Sequence, residues 1–431
     1  MTPTAIADPR SLLIDSYRAA VAAVDPLVIL PQHLPAPPKG RTLVIGAGKA
    51  AASMAAAVER HWPADAPLEG VVITRYEHGM PTTRIRVVEA GHPVPDENGE
   101  AAAREILAAV QQLGPDDLLL ALVSGGGSSL LSLPVEGISM AELKQVTKDL
   151  LRSGAPIQDM NTVRKHLSLI QGGRLAAACR AQVLALVISD VTGDEATHIA
   201  SGPCAPDPTT FADAVAILKR WEVAPPANVA RVLEEGLRGD RAETPKPGDA
   251  VFARCENRVI GTATGMLSAA ADFFAGHGIA SAVLGDSVTG EAREVAKVYG
   301  ALAREVRTHQ RPFKAPIALI SGGECTVTVK GNGRGGRCAE FLMSLCIDLE
   351  GAPDIYALAA DTDGIDGSED NAGACLGPDS LARAAAKGLP KALSFLENND
   401  AYSFFEALGD LIVTGPTRTN VNDYRVILLT R

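Results

Sequence analysis

The feature that most limits what this chain can fold into is a recurring unit. A short apolar run is followed by a glycine-bearing turn and then by a segment of helical periodicity. Residues 43–58, LVIGAGKAAASMAAAV, are the first instance. Continuous apolar runs bounded by turns read as strands buried on both faces, and their alternation with helical patterns predicts parallel strands joined by right-handed crossovers. Candidate strands fall at 42–45, 70–74, 85–89, 117–123 and 183–189. A second set follows at 258–261, 280–284, 317–321, 326–329, 355–359, 411–413 and 425–429. The predicted class is α/β, with two α/β domains, a Rossmann-like parallel sheet in the N-terminal one and the active site in the cleft between them.

Composition supports this class and narrows the partners. Apolar residues make up 46% of the 431 and aromatic ones only 4%, with 41 glycines, which suits many tight strand-to-helix turns. Helical periodicity over 10–30 precedes a proline-rich connector at 31–40. The proline- and charge-rich stretch 223–250 is read as the domain boundary, giving domains 1–235 and 236–431. A formal charge of −11 argues against nucleic acid or an anionic membrane as partner. The seven cysteines are scattered without a CxxC pair, which speaks against a disulfide framework or structural zinc. No basic-then-apolar leader opens the chain and no apolar run is long enough to span a membrane, so a cytoplasmic protein is expected.

Ligands of open parallel sheets bind beyond the carboxyl ends of strands, so the turns there carry the functional reading. The strand at 117–123 ends in Ser124, Gly125, Gly126, Gly127, Ser128 and Ser129, whose amides and hydroxyls suit phosphate oxygens. A flexible turn that binds nothing is the plain alternative. The strand at 317–321 ends in Gly322, Gly323 and Glu324, and GNGRGGRCAEF places Arg334 and Arg337 among glycines before a helix, where an anion would also meet the helix's positive end. Asp190 and Asp194 follow the strand at 183–189, a spacing suited to Mg²⁺ or to a metal ligand plus a base. DTDGIDG brings Asp363, as a catalytic carboxylate or a simple Asx turn. Arg164, Lys165 and Arg174 suit a carboxylate-bearing substrate, although a wet helix face accounts equally for the first two. His92 and His198 are read as structural.

Two chemistries compete for the opening turn. Gly46, Gly48 and Ala51 match a dinucleotide fingerprint, but the acidic residue required to hold the ribose is only Glu77, late and displaced. Phosphoryl transfer uses more of the motifs: Lys49 as a point charge, glycine turns for phosphates, carboxylates for Mg²⁺ and for the attacking hydroxyl. No P-loop motif is present.

Eight stretches in order, GAGKAAASM, AGHPVPDENG, SGGGSSLL, NTVRKHLSLIQGGRLA, SDVTGDEATHIASGP, SGGECTVTVKGNGRGGRCAEF, DTDGIDG and GPTRTNVNDYRV, closely resemble the glycerate 2-kinase family whose C-terminal part is called the MOFRL domain, here at about 315–425. The resemblance implies phosphorylation of D-glycerate at its 2-hydroxyl by ATP with Mg²⁺, in a homodimer. It places the family's essential lysine on Lys49 and its essential arginine on Arg337. Roles then follow as expectations. Lys49 and Arg337 stabilise the transferring phosphoryl group, and Ser124–Ser129, Gly322, Gly323 and Arg334 meet the nucleotide. Asp190, Asp194 and Glu324 hold the metal, Asp190 or Asp363 takes the hydroxyl proton, and Gly48, Arg164, Lys165 and Arg174 meet the substrate. The chain departs from the family pattern at Cys338-Ala339, where Asn-Gln is usual, and at Arg418, where glycine is usual. Members also carry the label hydroxypyruvate reductase, which keeps an NAD(P)H-dependent reduction open, and a sensor of sugar acids is a third alternative.

Overall fold

The computed structural model describes residue 6 and residues 8–431. The described residues divide into two compact units, one of Pro26–Gly261 and one of residues 8–25 with Thr262–Arg431. Among the described residues no helix is long and apolar enough to cross a membrane.

The first unit is built on six parallel strands: β1 Thr42–Ala47, β2 Leu68–Arg75, β3 Ile85–Ala90, β4 Leu118–Val123, β5 Gln182–Ile188 and β6 Cys255–Gly261. Their spatial order is β3-β2-β1-β4-β5-β6, the doubly wound order of dinucleotide-binding folds. β1 and β4 are buried along their whole length, as their unbroken apolar runs require. The chain reverses direction across the sheet between these two strands, and their register pairs Ala47 with Val123, so the turns that follow emerge side by side. β6 belongs to this sheet rather than to the second set.

The 223–250 stretch is not a boundary. Inside it the helix Ala227–Leu237 buries Val229, Val232 and Leu233 against residues of Met140–Ser153, Ile157–His166 and Phe211–Arg220, a helical core of its own within the first unit. The prolines and charges mark the return to the sheet edge. At the other end, the helix Pro9–Ala22 joins the second unit because its buried face is completed there: Tyr17 donates to the Asp361 carbonyl at 2.8 Å, Ser16 meets the Tyr424 hydroxyl at 2.9 Å, and Arg10 pairs with Asp410.

The second unit carries β7 Ala280–Gly285, β8 Gly290–Glu291, β9 Ile317–Ser321, β10 Cys325–Thr326, β11 Ile355–Asp361, β12 Gly373–Leu376, β13 Leu411–Ile412 and β14 Asp423–Leu429. Its main sheet, ordered β13-β12-β11-β14-β9-β7, is mixed, with only β7 and β9 parallel. The expected strand at 326–329 shrinks to the two-residue β10, paired with β8. The helix Arg337–Leu349 lies on this sheet and buries Phe341, Leu342 and Leu345.

Gly46 sits in β1 because a Cβ there would stand 2.5 Å from the Leu122 carbonyl oxygen of β4. Gly46→Ala is expected to force the two central strands apart and to lower unfolding free energy by about 1–3 kcal/mol. A urea denaturation midpoint equal to that of the wild type would contradict this close packing.

Candidate active site

The carboxyl edge of the first sheet gathers Lys49 after β1, His92 after β3, the Ser124–Ser129 turn after β4 and Asp190 after β5. Gly48 makes this possible. Its φ of +137° is open to glycine, and a Cβ would lie 2.1 Å from Ser124 Oγ and 2.5 Å from the Ser124 carbonyl. The β1 and β4 turns therefore lock together: Lys49 N donates to the Gly125 carbonyl at 2.8 Å, Ala50 N to Ser124 Oγ at 3.1 Å, and Ser124 N to the Ala47 carbonyl at 3.1 Å. Ala51 N donates back to the Gly48 carbonyl at 3.1 Å. The Lys49, Ala50 and Ala51 amides, in the turn that leads into the Ala51–His61 helix, are thus already bonded within the protein, and this turn is where a dinucleotide pyrophosphate would seek donors. The strand position that would hold a ribose, the end of β2, is Arg75 rather than an acid, and Glu77 lies beyond it.

The glycines of the β4 turn have specific tasks. Gly126, at φ +81°, faces His92, whose Nε2 would be 2.9 Å from a Cβ, and lies against the Lys49 side chain. His92, read as structural, thereby joins the site. At Gly127 a Cβ would stand 2.6 Å from the Ala200 Cβ and 2.9 Å from the Ala47 carbonyl oxygen, so the turn packs directly on both. Of the three hydroxyls, Ser124 accepts from Ala50 N and Ser129 donates to the Gly126 carbonyl, whereas Ser128 meets Ser201 Oγ at 2.8 Å. Ser128 is the one that reaches the segment following β5.

The cations expected for substrate separate into two groups. Lys165 is fully buried and held by Thr197 at 2.8 Å and Asp207 at 3.4 Å; burial lowers its pKa while Asp207 opposes this. Arg174 reaches the Ala242 carbonyl at 3.4 Å; burial lowers its pKa, and the neighbouring Glu243 and Asp207 raise it. Lys165 is thus tied to Asp207, whereas Arg174 lies in the field of Glu243 and Asp207 without an ion pair among the described residues. Arg164, half-buried, donates to Asn161 Oδ1 at 3.2 Å; it too pairs with no carboxylate among the described residues, and unlike Arg174 it has none acting on it nearby. Desolvation draws its pKa down to about 10. Asp190 is half-buried, and Asp194 occupies a left-handed turn at φ +54°.

In the second unit, Arg337 opens its helix with Nη2 on Asp361 at 2.6 Å, Nε on Asp423 at 2.9 Å and Nη1 on Glu324 at 3.3 Å. Burial would lower its pKa, but Asp423, Asp361 and Glu324 hold it well above the usual value. Asp423 also binds the buried Arg425, which donates to the Gly322 and Gly323 carbonyls at 3.0 and 3.2 Å. The carbonyls of Gly322 and Gly323 thus face an arginine, and Gly322 N, bonded to the Gly285 carbonyl, is no donor for a phosphate. Arg334 is exposed, stacks 4.4 Å over Tyr402 and pairs with Glu406 at 3.1 Å. The glycines around it admit the chain to Asn398 and Asp400, whose backbone or Cβ atoms lie within 2.3 Å of a Cβ at Gly331 or Gly333.

The helix's positive end does not await an anion either. Asp366, fully buried, accepts from Cys338 N at 3.0 Å and Ala339 N at 2.8 Å and so caps it. Asp363 is buried with its Oδ1 accepting from Ile365 N at 2.9 Å, the Asx-turn alternative. Arg418 adopts φ +59°, in the left-handed region that glycine favours. For the metal, Asp190 and Asp194 lie in one unit and Glu324 in the other, and the described residues contain no group of three or more His, Cys, Asp or Glu placed to hold an ion.

Residues that sequence reasoning missed are Asn161, Ser201 and Arg425, and Asp361 and Asp423 were given no role of their own. Asp361 and Asp423 stand inside quoted motifs at strand ends, a usable signal. Buried Arg425 interrupts an apolar strand, which periodicity alone reads as solvent-facing.

Two outcomes follow. Gly48→Ala is expected to open the β1–β4 turn contact, costing about 1–3 kcal/mol, together with most of the turnover; retention of both stability and turnover would contradict the locked turns. Burial raises the Asp366 carboxyl to about 6, against the lowering effect of its amide bonds. A folded-state value above the unfolded 3.8 means that its contribution is fully present below about pH 4 and is lost as pH rises through about 6. The stability of wild type relative to Asp366→Asn should therefore fall by about 2 kcal/mol between pH 4 and pH 7, read from denaturation curves at both ends; a pH-independent difference would contradict it.

Comparison with known proteins agrees with this architecture. Residues 12–234 match a domain of unknown function, DUF4147, and residues 317–423 match the MOFRL family. A putative hydroxypyruvate reductase of Agrobacterium vitis is 49% identical over 97% of this chain and 94% of its own. The D-glycerate 2-kinase of Thermotoga maritima is 39% identical over 98% of this chain and 99% of its own. The crystal structure of the glycerate kinase from Thermotoga maritima superposes with a TM-score of 0.86 at 38% identity, covering 98% of this chain and 99% of that one. With relatives of this identity aligned from end to end, the chain belongs to the glycerate 2-kinase family that carries the MOFRL region.

Proposed function

We propose that the protein transfers the γ-phosphoryl group of ATP to the 2-hydroxyl of D-glycerate, giving 2-phosphoglycerate and ADP. The observation that carries this reading over a reductase is the closed β1–β4 turn pair: the Lys49, Ala50 and Ala51 amides are bonded internally, and the Lys49 side chain lies half-buried beside Gly126. That arrangement suits a phosphoryl group in flight better than the pyrophosphate of a dinucleotide. Full-length similarity to glycerate kinases supports the same reading.

In the reaction, the 2-hydroxyl oxygen bonds to the γ-phosphorus as the bridging bond to the β-phosphate oxygen breaks, and the hydroxyl proton passes to a carboxylate. Asp190, half-buried beyond β5, is assigned that proton, since Asp363 is committed to its own turn. Lys49 neutralises charge on the transferring group. Arg337 takes part by exchanging its longest carboxylate contact, the exposed Glu324 at 3.3 Å, for a phosphate oxygen while Asp361 and Asp423 keep it aimed. Mg²⁺ enters as Mg·ATP. Such an ion keeps several waters and takes only one or two protein carboxylates, and Asp194, four residues beyond Asp190, would supply one without a closed protein cage while Asp190 takes the proton. A homodimer and a cytoplasmic location complete the proposal, the latter supported by seven unpaired cysteines.

Lys49→Ala is expected to lower kcat about 10²- to 10³-fold, the usual loss for a contact made in the transition state, in a coupled assay of ADP release from D-glycerate and Mg·ATP. Turnover within about threefold of wild type would remove Lys49 from the chemistry.

A further inference from the structure

The residues 199–202 hold a backbone that the sequence does not advertise. Ala200 at φ +50°, Ser201 at φ +58° and Gly202 at φ +58° form a left-handed run in which only the last is glycine. Such strain persists where surrounding structure over-determines it, and it concentrates at functional places. Here Gly172 N and Gly173 N clamp the run through the Ser201 and Gly202 carbonyls at 2.9 and 2.7 Å. The result is that Ser201, fully buried, points its hydroxyl at two partners: Asn161 Oδ1 at 3.2 Å and Ser128 Oγ at 2.8 Å.

The direction of these bonds is determined. Asn161 Nδ2 donates to the His198 carbonyl at 3.4 Å, so its Oδ1 is the acceptor, taking one bond from Ser201 Oγ and one from Arg164 Nη1. Ser201 spends its proton on Asn161 and must accept from Ser128. A continuous chain of three hydrogen bonds thus ties Arg164 to the β4 turn that carries Gly126 and faces Lys49. Arg164 retains its remaining guanidinium donors, half-buried and without a carboxylate partner among the described residues. A desolvated fork of donors with no counter-charge is built to receive a planar anion from outside the chain.

We propose that Arg164 receives the carboxylate of the acceptor, and that Asn161 and Ser201 are the positioning residues that aim it. The proposal rests on the phosphotransfer reading above. Lys165, paired with Asp207, takes no part in it, and Arg174, unlike Arg164, already lies in the field of Glu243 and Asp207.

The test measures KM for D-glycerate and for ATP separately, with glyceramide as the uncharged acceptor, in wild type, Arg164→Gln, Arg164→Lys, Ser201→Ala and Ser201→Gly. Loss of a charge-assisted bond predicts that Arg164→Gln raises KM for D-glycerate about 10- to 100-fold, leaves KM for ATP within about twofold and erases the preference for D-glycerate over glyceramide. Arg164→Lys recovers part of the loss, and if Arg164→Gln does not fold, Arg164→Lys is read in its place. Ser201→Gly relieves the backbone strain but removes the hydroxyl, so its melting temperature holds or rises while KM for D-glycerate climbs, as in Ser201→Ala. An unchanged KM for D-glycerate, or an equal rise for ATP, overturns the proposal. Absence of ADP release by the wild type overturns the proposed reaction and this acceptor site with it, so the two failures are told apart by the wild-type control.

Discussion

The contact on which the first unit's chemistry depends is the meeting of two backbones at Gly48 and Ser124. The sheet reverses its winding between β1 and β4, and the in-register pairing of those strands delivers both turns to one place. Only a residue without a side chain lets them touch. Once they do, Gly125 and Ser124 take the Lys49 and Ala50 amides, and the Lys49 side chain lies against Gly126 of the β4 turn. A fold whose strand order is that of a dinucleotide binder is thereby committed to another use, decided by hydrogen bonds within a few residues rather than by topology.

The second unit is organised around Asp423. One carboxylate holds both Arg337 and the buried Arg425, and Arg425 in turn fixes the carbonyls of the Gly322-Gly323 turn. Removing one member of such a cluster strands a buried charge, which is far costlier than the cluster's net worth. Arg337 is consequently held on two sides by Asp423 and Asp361, and the one contact it gives up in charge stabilisation is the exposed Glu324.

Much of the fold was legible because parallel strands buried on both faces read as unbroken apolar runs, and five of the first sheet's strands are found within a few residues of where those runs lie. The short β12 carries too little pattern to be seen, and the placing of residues 9–22 with the C-terminal half depends on Tyr17 and Ser16 meeting partners more than three hundred residues away. Within the site, Lys49, Arg164 and Arg337 stand out by residue type. Arg334 and Arg337 look equivalent in GNGRGGR, and only packing separates them: Asn398, Asn399 and Asp400 bind the loop amides around Arg334, whereas Arg337 turns inward. Ser201 was invisible for the opposite reason, since its left-handed backbone is imposed by the Gly172-Gly173 amides and not by a glycine of its own.

The most direct measurement follows the wild-type protein with D-glycerate and Mg·ATP by phosphorus NMR, beside a parallel incubation of hydroxypyruvate with NADH and NADPH. The account predicts 2-phosphoglycerate and ADP in equal amounts and no oxidation of either cofactor. Cofactor oxidation without ADP would contradict it and return the β1 turn to a dinucleotide.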